Sequence, residues 1–194
     1  MSRPRTFDLD AAIDTALLQF WSKGYEGTSL SELTEAMGIN RPSFYAAFGS
    51  KESLFARVLD RYAEGPGAGV ARALAAPTCR GVVEQLLAFY TDAPADPSWP
   101  RGCLLVQGAL ACGTETDSVR EALCDRRRAI EEALHQRLKQ GRAAGDLPAG
   151  ENPAQLARYI WTICQGLCVE ARGGATRAEL RRVAAQALRM WPSA

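Results

Sequence analysis

Between Ser29 and Phe48 the chain reads as two short helices and a tight turn, and this pair restricts the fold more than any other stretch. Ser29 and Glu32 stand at capping-box spacing, where a hydroxyl caps one backbone amide and a carboxylate caps another. The helix they open runs from about Leu30 to Met37 and stops at Gly38. Asn40 suits the N-cap of the next helix, with Pro42 tolerated in its first turn, and that helix reaches about Phe48. Gly38-Ile39-Asn40 is then the turn, and Ala36, Ile39 and Phe44 occupy the positions expected to bury its joint. This is a helix-turn-helix layout, whose second helix enters the major groove of DNA.

The rest of the chain reads as all-α. Alternating β-branched runs are absent, and apolar residues recur at three- and four-residue spacing almost throughout. A first helix is expected over about 8–23, with Ala12, Ala16, Leu17 and Phe20 on its apolar stripe and Gly24 ending it. Ser50 caps a helix that starts at Lys51 and continues past Tyr62 to Gly65-Pro66-Gly67-Ala68-Gly69, a candidate hinge. Further helices are expected at about 70–75, 79–92, 103–112, 117–144, 153–172 and 177–190. Asn152-Pro153 and the Thr176/Glu179 capping box open the last two. The expected organisation is a helix-turn-helix DNA-binding domain over 1–50 and a helical ligand-binding and dimerisation domain over 51–194.

The string from Tyr25 to Phe55, YEGTSLSELTEAMGINRPSFYAAFGSKESLF, resembles the TetR (tetracycline-repressor-like) family of bacterial regulators. It carries an aromatic and glycine, then Thr-Ser, a short leucine-containing helix, the glycine turn, and an ending at Tyr45, Phe48, Lys51 and Glu52. The match covers about the first third of the chain, and the remainder is compatible with the family's variable helical body. Arg101-Gly102-Cys103-Leu104-Leu105-Val106 is similar to a stretch in one branch of these regulators. The resemblance implies a homodimer on a palindromic, double-stranded operator, released by a small effector; with no targeting or membrane-spanning run visible, the chain reads as cytoplasmic. It also implies that the Tyr45 hydroxyl and Lys51 contact the DNA backbone. The two positions after Tyr45, often aromatic or histidine in the family, are Ala46 and Ala47 here, which removes a phosphate contact.

Thr28 and Ser29 lie at a helix N-terminus, where hydroxyls and amides can grip a phosphate; the alternative reading is that they are caps only. Arg41, Pro42 and Ser43 open the recognition helix; Arg41 suits guanine O6 and N7, or a phosphate. Tyr45 reads alternatively as a core aromatic and Lys51 as a solvated charge, whereas Phe44 and Phe48 read as packing. Net charge is +1, and residues 1–62 carry seven Lys/Arg against eight Asp/Glu, so any DNA affinity must come from a local basic surface, helped by Arg3 and Arg5.

In the body, helices 153–172 and 177–190 carry Leu156, Tyr159, Ile160, Ile163, Leu167, Leu180, Val183, Ala187 and Leu188. They suit a four-helix dimer interface or, alternatively, their own subunit's core. Candidate liners of a pocket for a hydrophobic or aromatic effector are Phe89, Tyr90, Trp99, Leu105 and Trp161, with Leu86, Leu110 and Leu123 beside them. Of the six cysteines, Cys103 sits at a helix N-terminus, a place that can lower a thiol pKa and make it a sensor; otherwise the cysteines are small buried hydrophobes. The single histidine, His135, and the lack of CxxC spacing argue against a metal site, and no cofactor is expected. No nucleophile–base constellation or phosphate loop points to an enzyme. No apolar run is of signal-peptide or membrane-spanning type. Two other readings remain open: a thiol-based redox or electrophile sensor using Cys103, and a helical small-molecule-binding protein that does not bind DNA.

Overall fold

The computed structural model describes residues 7–110 and 117–192. Arg3, Arg5 and Cys112 lie outside the described residues, as does the side chain of Leu110. Among the described residues the chain forms ten α-helices, a 3-10 turn at Ala93–Ala95 and no strand. The helices are α1 (Leu9–Lys23), α2 (Leu30–Met37), α3 (Arg41–Phe48), α4 (Lys51–Glu64), α5 (Gly69–Leu74), α6 (Cys79–Asp92), α7 (Leu104–Leu110), α8 (Asp117–Ala143), α9 (Pro153–Arg172) and α10 (Arg177–Arg189).

The head is built by caps and one aromatic nucleus. Asp8 starts α1, its carboxylate accepting from the amide of Asp10 at 2.9 Å. Ala12, Ala16, Leu17 and Phe20 form the buried stripe of that helix. Phe20 meets Phe55 of α4 edge-on at 5.0 Å between centroids, and Tyr25 meets Phe55 at 5.1 Å. Asp14 and Arg61 join α1 to α4 by two parallel bonds of 2.7 Å. Helices as short as α2 and α3 are marginal alone, so this nucleus must hold them. Leu33 and Phe44 supply the anchors, both with no exposed surface. Both expected caps form: Ser29 and Glu32 close a reciprocal capping box, and the Asn40 side-chain oxygen Oδ1 accepts from the amide of Ser43. The joint is filled differently from the expectation. Ala36 is exposed and Ile39 half-buried, because it is Leu33 and Thr34 of α2 that face inward.

The glycine-rich stretch after α4 is not a free hinge. The amide of Gly67 donates to the Tyr62 carbonyl at 2.7 Å, and that of Val70 to Gly67 at 3.1 Å. A Cβ on Gly69 would come within 2.2 Å of the Phe89 ring. The glycine there lets the α5 backbone lie directly on that ring.

In the body, α9 packs against α8, α6 and α10. Its inward side carries Ile160, Trp161, Cys164, Leu167 and Cys168; Leu180 and Ala187 do the same for α10. Those residues therefore close the subunit's own core. The other side of the same helices is uncovered: Tyr159, Val169, Val183 and Met190 are 40–65% exposed.

Replacing Phe20 by alanine deletes the ring shared by α1, α4 and Tyr25. Loss of a buried phenylalanine of this kind costs about 3–5 kcal/mol, and urea unfolding of the variant should show a drop in that range.

Candidate DNA-binding face and head–body cavities

The recognition helix α3 presents Arg41, Pro42, Tyr45 and Ala46 to solvent, with Ser43 half-buried. Phe44, Ala47 and Phe48 form its buried side. Ala47 therefore points into the core, and only Ala46 marks a lost surface contact. Tyr45 is 52% exposed, with its ring edge-on to Phe44 at 5.7 Å, so it is a surface aromatic rather than a core one. Arg41 is braced by Ser31 of α2, whose hydroxyl accepts from its guanidinium at 2.8 Å. Ser31 was absent from the expected set; its only sequence signal is its place on the helix preceding Arg41.

Thr28 must be withdrawn from the direct contacts. It is fully buried, and its hydroxyl donates to the Gly24 carbonyl at 2.8 Å, closing the end of α1. Ser29 is exposed at the start of α2, but its amide is already donated to Glu32 at 2.7 Å. Its hydroxyl proton is what remains for a phosphate. The Glu32 carboxylate also takes the Lys23 ammonium at 2.8 Å. That bond first, then those from Ser29, holds the Glu32 pKa down at about 2. Lys51 is not simply solvated: its ammonium sits 4.1 Å from the centre of the Tyr25 ring, a cation–π arrangement. Burial lowers its pKa, against the pull of Glu26 and Glu32.

Two cavities that share Tyr62 lie where head meets body. The first, of about 130 Å³, is lined by Trp21 of α1, Tyr62 of α4, Phe89 and Tyr90 of α6, and by Trp99 and Cys103. Trp21 and Trp99 stack at 5.8 Å, and Trp21 meets Tyr62 edge-on at 5.0 Å. The second, of about 300 Å³, is walled by Leu59, Tyr62, Val70, Phe89, Tyr90, Leu105 and Ile130, with Arg126 at its edge. Arg126 pairs with Asp60 of α4. Of the expected liners, Phe89 and Tyr90 border both cavities, Trp99 the first and Leu105 the second. Trp161 borders neither. It is buried behind Tyr90, edge-on at 5.6 Å, and is a core residue, as are Leu86 and Leu123. Sequence reasoning missed Trp21 and Tyr62, which lie on helices assigned to the head and to the connection.

Cys103 precedes α7 and is buried, its sulfur accepting from the Tyr62 hydroxyl at 3.2 Å. Hydrogen bonds from Cys168 and Tyr62, with the amides of Val106 and Leu105, outweigh burial and bring its pKa to about 7. The helix N-terminus read from the sequence contributes less than these two side chains. By contrast, burial pushes Cys79 up to about 11. Gly102, at φ +89°, is required here: a Cβ would strike the Gln107 amide and lie 3.2 Å from the Cys168 carbonyl. No group of three potential metal ligands occurs among the described residues. No helix among them is long and apolar enough to cross a membrane.

Residues 12–58 match the model for bacterial regulatory proteins of the tetR family, and residues 81–188 match the tetracyclin repressor-like C-terminal domain. The chain is 37% identical to the HTH-type transcriptional repressor ComR of Escherichia coli (strain K12), over 98% of this chain and 91% of that one. It is 52% identical to the repressor BdcR of the same strain over 60 residues, covering 31% of this chain and 30% of that one. Among solved structures, a cysteine mutant of the regulator CifR, complexed with 26-bp double-strand operator DNA, superimposes with a TM-score of 0.93. Its identity is 42%, and the match covers 98% of this chain and all of that one.

The depressed pKa of Glu32 has a signed consequence. Its contribution to stability is complete above its ordinary value of 4.5 and is lost as pH falls toward about 2. Glu32→Gln should therefore be less stable than the parent at neutral pH, and the gap should close on acidification. Thermal melts of both proteins from pH 7 to pH 2 check this; a gap that stays constant contradicts it.

Proposed function

Because this chain belongs to the tetR family of bacterial regulatory proteins and is a DNA-binding transcriptional regulator, we propose that it acts as a homodimeric repressor, released from a palindromic operator when a small effector fills its head–body cavities. One observation carries this reading. Helix α4 starts at Lys51, directly after the recognition helix, and ends with Tyr62 in the wall of both cavities. The same rigid element thus touches the DNA-facing surface and the space a ligand would occupy.

On this reading residues 1–50 form the DNA-binding unit and 51–194 the sensing and dimerising unit, with α4 shared between them. Ser29, Arg41, Pro42, Ser43, Tyr45 and Lys51 face DNA. Arg41 reads a base edge or a phosphate, Tyr45 and Lys51 hold the backbone, and Thr28 acts only by shaping the end of α1. Two-fold symmetry presents two α3 helices to successive major grooves. The exposed stripe of Tyr159, Val169, Val183 and Met190 on α9 and α10 forms the interface. The effector is small and apolar or aromatic, as the larger cavity's carbon-rich wall suits. It weakens DNA binding only to the extent that it prefers the form with displaced heads. No catalytic step and no resident cofactor enters this reading.

Fluorescence anisotropy with DNA from upstream of the protein's own gene, against shuffled DNA across a salt series, tests it. Binding should be saturable, prefer the native sequence and weaken with salt. Arg41→Ala should lose about 1–3 kcal/mol of that preference if it reads a base edge. Equal affinity for native and shuffled DNA at every salt concentration contradicts the operator reading for that fragment. Val183→Asp should yield monomers in sedimentation velocity and abolish tight binding; a dimer that persists moves the interface elsewhere.

A further inference from the structure

We propose that Cys103 and Cys168 form a redox couple: a hydroperoxide entering the smaller cavity oxidises Cys103, and Cys168 closes a disulfide that releases the head from DNA. The chemical half of this proposal stands on the two thiols alone. The regulatory half rests on the repressor reading above.

The geometry brings three features together. Cys103 has only 4% of its surface open to bulk solvent, yet it lines the cavity between Trp21 and Trp99. A small oxidant therefore meets the sulfur from inside. The same cavity is lined by Trp21, whose indole Nε1–H is buried without a hydrogen-bond partner. A buried donor of that kind is costly to leave unpaired, and a peroxide oxygen placed beside it would be an acceptor. Finally, Gly102, next to Cys103, is seated so that a Cβ there would lie 3.2 Å from the Cys168 carbonyl, and Cys168 is the side chain that most favours the Cys103 thiolate. The fold thus brings together two cysteines that lie 65 residues apart in sequence.

The protonation states divide the roles. Tyr62 and Cys168 both donate to the Cys103 sulfur, so the negative charge is favoured there near neutral pH. The proton stays on Cys168, whose pKa is raised by that same bond and by burial. Cys164, one turn earlier on α9, is held protonated by burial. Cys103 is thus the attacking thiolate and Cys168 the resolving thiol.

In the first step the Cys103 thiolate attacks the distal oxygen of the peroxide. The O–O bond breaks, an S–O bond forms, and the leaving alkoxide takes a proton to become an alcohol. This gives the sulfenic acid at Cys103. In the second step the Cys168 sulfur attacks the Cys103 sulfur, the S–O bond breaks, and the Cys168 proton leaves with the hydroxide as water. Two thiols and one hydroperoxide become one disulfide, one alcohol and one water. The pair supplies two electrons to the peroxide.

The consequence for the head follows from Tyr62. Its hydroxyl is buried, and the Cys103 sulfur is its acceptor. A disulfide sulfur is a poor acceptor and is drawn toward α9, so Tyr62 loses its partner. Tyr62 sits on α4, and the arrangement of α4 that satisfied it is no longer favoured.

The test is titration of the native protein with tert-butyl hydroperoxide, followed by non-reducing peptide mass spectrometry and by anisotropy on the upstream DNA fragment. Expected is the loss of two of the six thiols, a Cys103–Cys168 cross-linked peptide, and a fall in DNA affinity of roughly tenfold that dithiothreitol reverses. Cys168→Ser should stop at a sulfenic acid on Cys103, trapped by dimedone, and form no cross-link. The cross-link in the native protein needs no variant, and Cys168→Ala repeats the result with a different side chain. A sulfenic acid that persists on Cys103 in the native protein, or a cross-link from Cys103 to Cys164, overturns the couple. A Cys103–Cys168 disulfide in protein that binds DNA as tightly as before overturns its regulatory role. Should the reduced protein bind no DNA, the repressor reading and the regulatory half fall together, while the cross-link still decides the chemistry.

Discussion

The recognition helix has eight residues and two buried phenylalanines, and it holds its place because α4 is packed on α1. The edge-on contacts among Phe20, Tyr25 and Phe55 supply the apolar part of that packing. The paired bonds from Arg61 to Asp14 supply direction. Both partners are partly exposed, so the ion pair adds little energy, and its planar two-bond geometry serves mainly to fix how α4 lies along α1. If α4 slid along α1, the turn at Gly49-Ser50 would carry α3 with it.

The far end of the same helix has a different set of partners. Asp60 pairs with Arg126 of α8, Tyr62 donates to Cys103, and Trp21 of α1 stacks on Trp99. Arg172 at the end of α9 also donates to the carbonyl of Ser22 at 2.8 Å. These polar and aromatic contacts stand beside an apolar cluster that runs without a break from head to body. On the proposed reading, a second arrangement of this junction is what a population shift would use. Both cavities border Tyr62, so anything that fills them touches α4 directly.

Helix positions were legible in the sequence because their ends are written in local chemistry. Ser29, Asn40, Ser50, Asn152 and Thr176 all cap the helices expected of them. The recognition surface was legible through fixed spacings, except at Thr28. Its threonine satisfies a cap and a phosphate contact equally well on paper, and only burial separates them. The lining of the two cavities was the least legible. Phe89 and Tyr90 were found as aromatics, but so was Trp161, which the fold uses as filler. Trp21 and Tyr62 were passed over because periodicity says that a residue is buried and not which neighbour it meets. Cys103 was noticed for its helix terminus, whereas Cys168 and Tyr62, its main partners, come from distant parts of the chain.

The stack of Trp21 on Trp99 has a practical consequence. One ring belongs to a head helix and the other to the loop before α7, and they lie nearly parallel, 19° apart. The transition dipoles of two indoles held this way couple, which gives a near-ultraviolet circular dichroism signal that depends on their mutual orientation. The other two tryptophans, Trp161 and Trp191, are buried in the body and lie outside this junction. The molecule thus carries an optical goniometer for the angle between head and body. It needs no attached dye and leaves every cysteine untouched.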